Sequence, residues 1–82
     1  MLPLVSHGRM TLLDEVRARR LPPPSVRRAV RLAAGVSQVR MAGELGVHRL
    51  TFARWETGVH EPQGERREQY ARLLAELQQV SS

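Results

Sequence analysis

Eighty-two residues bound this chain to one small domain with a modest core, and the lack of cysteine excludes disulfide staples and thiolate metal sites. The formal net charge is +5 and all 13 basic residues are arginine, which points toward a polyanion and away from a membrane interior. No apolar run approaches the ~20 residues of a membrane span, and the opening MLPLVSHGR is too weakly apolar for a signal peptide, so a cytoplasmic setting is expected.

Lys, Asn and Ile are absent together, so GC-rich coding accounts for most of the arginine preference. The planar guanidinium fork still suits phosphate and guanine. The charge is uneven: +2 over residues 1–20, +4 over 25–58 and −1 over 59–82.

Taken in order, residues 1–10 show no period and read as a flexible arm. Thr11 to about Arg20 reads as an accessory helix, with Thr11 and Asp14 as a partial capping box and Leu12, Leu13 and Val16 as its apolar face. Pro22-Pro23-Pro24 stops it and suggests an extended spacer, so residues 11–24 form an accessory helix and linker. Ser25 is the expected N-cap of the next helix, Val26 to Ala34. Val26, Ala29, Val30, Ala33 and Ala34 would form its inner stripe, with Arg27, Arg28 and Arg31 on the other face. Arg27 and Arg28 read as solvated.

Ser37 caps a helix from Gln38 to about Leu45, with Val39, Ala42 and Leu45 on one face and Met41 beside it. Gly46 ends that helix in a left-handed conformation. The following helix runs from about Arg49 to Glu56, with His48 at its start. Phe52 and Trp55 face inward; Arg49, Leu50, Ala53 and Arg54 face out or sideways. Two short helices about a glycine turn match helix-turn-helix geometry. The last helix spans about Glu65 to Gln79, with Tyr70, Leu73, Leu74 and Leu77 as a stripe against the core; the same stripe could instead pair two copies. Residues 25–80 thus form the main domain, and residues 81–82 a tail.

Arg31-Leu32-Ala33-Ala34-Gly35-Val36-Ser37-Gln38, Met41-Ala42, Leu45-Gly46-Val47, Trp55-Glu56, Gly58 and Pro62 resemble the Cro/phage-repressor (XRE-type) helix-turn-helix family. The resemblance covers about residues 26–77. The N-terminal helix and the triple proline lie outside it and resemble an extension in small actinobacterial or actinophage proteins. The family implies an all-α, compact five-helix, lambda-repressor-like domain. It also implies a transcriptional regulator, a repressor or Cro-like protein, in a bacterial or phage-infected cell.

By this resemblance Arg49, Leu50, Thr51, Ala53 and Arg54 contact DNA bases, while Ser37, Gln38, Arg40 and His48 contact phosphates. Arg49 or Arg54 could hold guanine O6 and N7 bidentately, and Leu50 could cover a thymine methyl. The bland alternatives are plain phosphate contact for the two arginines and a solvated helix end for Gln38. Arg31 and Glu56 resemble the family's structural ion pair. Phe52, in place of the usual β-branched residue, departs from the pattern.

Double-stranded DNA is the expected partner. A homodimer would set two recognition helices about 34 Å apart. No catalytic set, metal site, cofactor, membrane or small-molecule substrate is expected: His7, His48 and His60 are scattered, and Glu44, Glu56 and Glu61 are isolated. The alternative function is a protein-interaction module such as an antitoxin or adaptor.

Overall fold

Prolines and glycines cut most of the chain into helices of 8 to 10 residues, too short to stand alone, so packing decides which faces are used. The computed structural model describes residues 11–81; the proposed arm at residues 1–10 lies outside them. The helices are α1 (Leu12–Arg19), α2 (Pro24–Ala33), α3 (Gln38–Leu45), α4 (Arg49–Thr57) and α5 (Gly64–Ser81). There is no strand among the described residues, and no helix there is long and apolar enough to cross a membrane. The last helix begins and ends slightly beyond its expected span, so Ser81 belongs to α5 rather than to a tail.

The core comes from three helices. Met41, Ala42 and Leu45 of α3, Phe52 and Trp55 of α4, and Tyr70, Ala71 and Leu74 of α5 are buried. Tyr70 is the centre of the aromatic packing: its ring lies 5.4 Å from Phe52 and 5.7 Å from Trp55. Leu73 and Leu77 pack at the margin, so the α5 stripe is core, as its spacing suggests. Helix α2 lies across α4 and α5.

The compact five-helix expectation is corrected in its count: four helices, α2–α5, make the packed body. Helix α1 contacts α5 alone, and none of its described side chains belongs to the core. Leu12 is 77% exposed, and Leu13 and Val16 are exposed as well.

Helix α2 overturns the expected stripe. Its buried residues are Arg27 and Arg31, whereas Val26, Ala29 and Ala33 are exposed. The expectation that Arg27 is solvated is therefore wrong; it is only 4% exposed. Its Nη1 donates to the Trp55 carbonyl (2.8 Å), its Nε to the Pro22 carbonyl (2.6 Å) and its Nη2 to Glu61 Oε1 (2.8 Å). The guanidinium carbon also sits 5.9 Å from the Tyr70 ring centroid. The physical reason is the end of α4. A helix C-terminus leaves carbonyls without intrahelical donors, and Glu56 is a buried carboxylate beside them. Two arginines one turn apart satisfy both, and the alanines they displace offer little apolar area.

The proline segment is not a free spacer. Leu21 packs against the core, and Pro22 accepts from Arg27. Pro24 is the first residue of α2, with Pro23 at the cap position. A proline there loses no hydrogen bond and has its φ preset for the helix, so Ser25 is not the N-cap.

Candidate nucleic-acid interface

Two local features set the angle between α3 and α4. Ser37 Oγ accepts from the Arg40 N–H at 3.0 Å, so the start of α3 is capped as expected. Gly46 has φ +68°, and beyond it the Val47 N–H turns back to the Ala42 carbonyl at 2.9 Å. His48 holds the N-cap position of α4 in extended conformation without a side-chain cap bond. Val39, expected inside, is 65% exposed, and Met41 takes the inner position.

Helix α4 is divided lengthwise. Phe52, Trp55 and Glu56 are buried. Arg49 and Arg54 are exposed, Leu50 is 52% exposed, and Thr51 and Ala53 lie half-buried at the margins. The expected base-contact residues thus share one helix, with Arg49, Leu50 and Arg54 on its open side. Of the other expected contacts, Ser37, Arg40 and His48 are exposed and Gln38 is half-buried. Arg40 is drawn along α3 toward Glu44, 3.8 Å away.

A chain of polar contacts runs from the interior to this face. Arg31 grips Glu56 through Nε–Oε2 (2.5 Å) and Nη2–Oε1 (2.9 Å), and its Nη1 reaches the Val36 carbonyl (2.8 Å). Gln38 Nε2 donates to Glu56 Oε1 (3.0 Å), and Arg49 Nη1 donates to Gln38 Oε1 (3.2 Å). A carboxylate only accepts, so Glu56 fixes which end of the Gln38 amide faces it and turns the oxygen toward Arg49. Gln38 is thus a bridge as well as a residue of the α3 start.

The charges in this chain stay on. Burial pushes the Glu56 carboxyl up, but the bonds from Arg31 and Gln38, with the charges of Arg31 and the exposed Arg28, hold it below the ordinary carboxylate range. The bond to Glu56 likewise raises Arg31, against its own burial.

Sequence reasoning missed Arg66. It is exposed, and its Nη2 lies 3.3 Å from the Gly46 carbonyl, at the turn between α3 and α4. A signal was present: Arg66-Arg67 sits in the first turn of α5, where the helix dipole disfavours cations. Among the described residues no group of three His, Asp or Glu side chains could hold a metal ion.

Comparison with family models, with curated proteins and with solved structures finds no match to this chain.

Proposed function

We propose that this chain binds double-stranded DNA sequence-specifically, as a transcriptional regulator of the repressor or Cro kind, with α4 in the major groove. The finer reading of α2–α5 as a lambda-repressor-like arrangement belongs to this proposal. The carrying observation is the lengthwise division of α4, with Arg49, Leu50 and Arg54 open while Phe52, Trp55 and Glu56 anchor the helix. A helix so presented fits a groove about 12 Å wide. The arginine forks match guanine, Leu50 matches a thymine methyl, and the capped start of α3 offers backbone N–H groups to a phosphate.

Selection of preferred sites from random duplexes tests this reading. An enriched motif that Arg49→Ala blurs supports it; no enrichment at moderate salt overturns it. A single module makes few contacts, so a palindromic motif read by two copies is the expected form. One observation favours the antitoxin or adaptor reading instead: Leu12, Leu13 and Val16 of α1 are exposed. That reading predicts capture of a protein partner undiminished by Arg49→Ala.

A further inference from the structure

We propose that the C-terminal end of α1 and the first turn of α5 form a second, sequence-independent strip that binds DNA backbone phosphates beside α4. The strip consists of Arg19, Arg20, Arg66 and Arg67, and it rests on the DNA-binding reading above.

Two contacts join these residues into one surface. Arg67 Nη1 donates to the Arg19 carbonyl at 3.5 Å, which brings the end of α1 against the start of α5. Arg66 Nη2 donates to the Gly46 carbonyl at 3.3 Å, which brings the start of α5 against the turn leading into α4. Gly46 is two residues from His48 and three from Arg49, so the strip continues from the expected reading face around the turn. All four arginines are exposed.

The neighbouring acids do not cancel the strip. Buried Tyr70, Ala71 and Leu74 mark the inner side of α5. At 100° per residue, Arg67 lies in line with that side and Arg66 at one flank of it, whereas Glu65 is opposite and Glu68 is at the other flank, away from Arg66. Neither acid therefore lies between Arg66 and Arg67, the two arginines that reach the Gly46 turn and the end of α1. Four cations beside a helix N-terminus repel one another and the positive end of the dipole. A row of phosphates relieves both. The strip also gives α1 a role: none of its described side chains belongs to the core, but the helix delivers Arg19 and Arg20 to this edge.

Such contacts carry no sequence information. Their signature is in the salt dependence, since each phosphate neutralised adds about 0.9 to the slope of log K against log salt on B-DNA. The test uses the full chain and two duplexes, the site enriched by selection and a scrambled one, titrated at several salt concentrations. The variants are Arg20→Ala, Arg66→Ala and their combination. Arg72→Ala, which removes the same charge from the outer side of α5, is the control, and circular dichroism checks that each variant is folded.

The expected result is a slope flatter by about 0.9 for each strip arginine removed, with affinity falling by the same factor on both duplexes and the preferred motif unchanged. Arg72→Ala leaves the slope as it is. An unchanged slope in Arg20→Ala and Arg66→Ala, with wild-type selectivity intact, overturns the strip alone. An equal change in Arg72→Ala also overturns it, because net charge would then be the cause. A wild-type chain that binds neither duplex, or that binds an acidic protein instead, overturns the strip together with the DNA reading.

Discussion

Arg31 and Glu56 form a two-pronged ion pair that ties the last turn of α2 to the last turn of α4, with the carboxylate side chain almost wholly buried. Removing one partner leaves the other charged in the interior, a loss of about 3–5 kcal/mol by the usual cost of breaking such pairs. Arg31→Ala and Glu56→Ala should each approach that cost in urea unfolding. The double variant Arg31→Met/Glu56→Leu should lose much less than their sum, because no orphan charge remains. Additive losses would mean the two side chains do not act as a pair.

The same pair sets the acid limit. The folded-state pKa of Glu56 is depressed, so its contribution is present above the unfolded carboxylate value of about 4.3 and is lost as pH falls through the folded value. Stability should therefore drop as the solution is acidified below about pH 4.3. Glu56→Gln should flatten the drop and lower the plateau above it, as read from urea midpoints at stepped pH. An equally steep acid limb in Glu56→Gln would assign it to other carboxylates.

Arg27 is the second test of an inward-facing arginine. Its three N–H bonds go to two backbone carbonyls and one carboxylate on separate segments. Arg27→Ala leaves the Trp55 carbonyl with only the long 3.4 Å bond from the Gly58 N–H and removes the partner of Glu61, a loss of about 1–3 kcal/mol before the lost packing on Tyr70 is counted. Arg27→Lys should recover little, since one ammonium cannot reach three directions. The exposed Arg28 provides the contrast, with a change within about 0.5 kcal/mol expected on Arg28→Ala. Equal effects at the two positions would contradict the buried geometry.

These arginines mark where the sequence was legible and where it was not. Periodicity located α3, α4 and α5 through Ala42, Leu45, Phe52, Trp55, Tyr70 and Leu74, although on α3 it put Val39 inside where Met41 is the buried residue. It failed on α2. There the apolar candidates were mostly alanines, whose burial contributes little, and the competing term was polar: carbonyls and a carboxylate at the end of α4 that no reading of α2 alone reveals. The Arg31–Glu56 pair was legible only through family resemblance. The Gln38 bridge was not legible at all, since it needs residues 11 and 18 positions away brought to one point. Arg66 carried a local signal, as one of two cations in the first turn of α5, but its place at the Gly46 turn depends on a residue 20 positions away.

Two glycines should respond oppositely to alanine. Gly58 has φ +81°, and a Cβ there would lie 3.1 Å from the Pro24 ring. The left-handed conformation alone costs an L-residue about 1–2 kcal/mol, and the contact presses on the start of α2, so Gly58→Ala should lower the melting temperature clearly. Gly43 lies inside α3 with open space where its Cβ would be. Gly43→Ala should therefore stabilise by about 0.5–1 kcal/mol through helix propensity. Thermal melts of the two variants beside wild type decide the matter; a loss in Gly43→Ala would mean that α3 needs that face bare.

Tyr70 is the only tyrosine, which makes its environment directly readable. It is fully buried, and among the described residues its hydroxyl has no hydrogen-bond partner. Burial pushes its ionisation well up, the Glu56 charge adds to that, and Arg27 and Arg31 oppose it. The unfolded chain releases this proton near pH 10. Above that pH the folded state holds more protons than the unfolded one, so stability falls as pH rises. Phenolate absorbance should therefore stay flat through pH ~10 and rise only together with the loss of helical circular dichroism. Tyr70→Phe keeps the ring contacts with Phe52 and Trp55 and breaks no bond to protein, so it should cost little or raise the melting temperature. Tyr70→Ala should cost about 3–5 kcal/mol, as aromatic truncations in cores do. Phenolate forming near pH 10 in a fully helical protein would place the hydroxyl in water and refute this packing of α5 on α4.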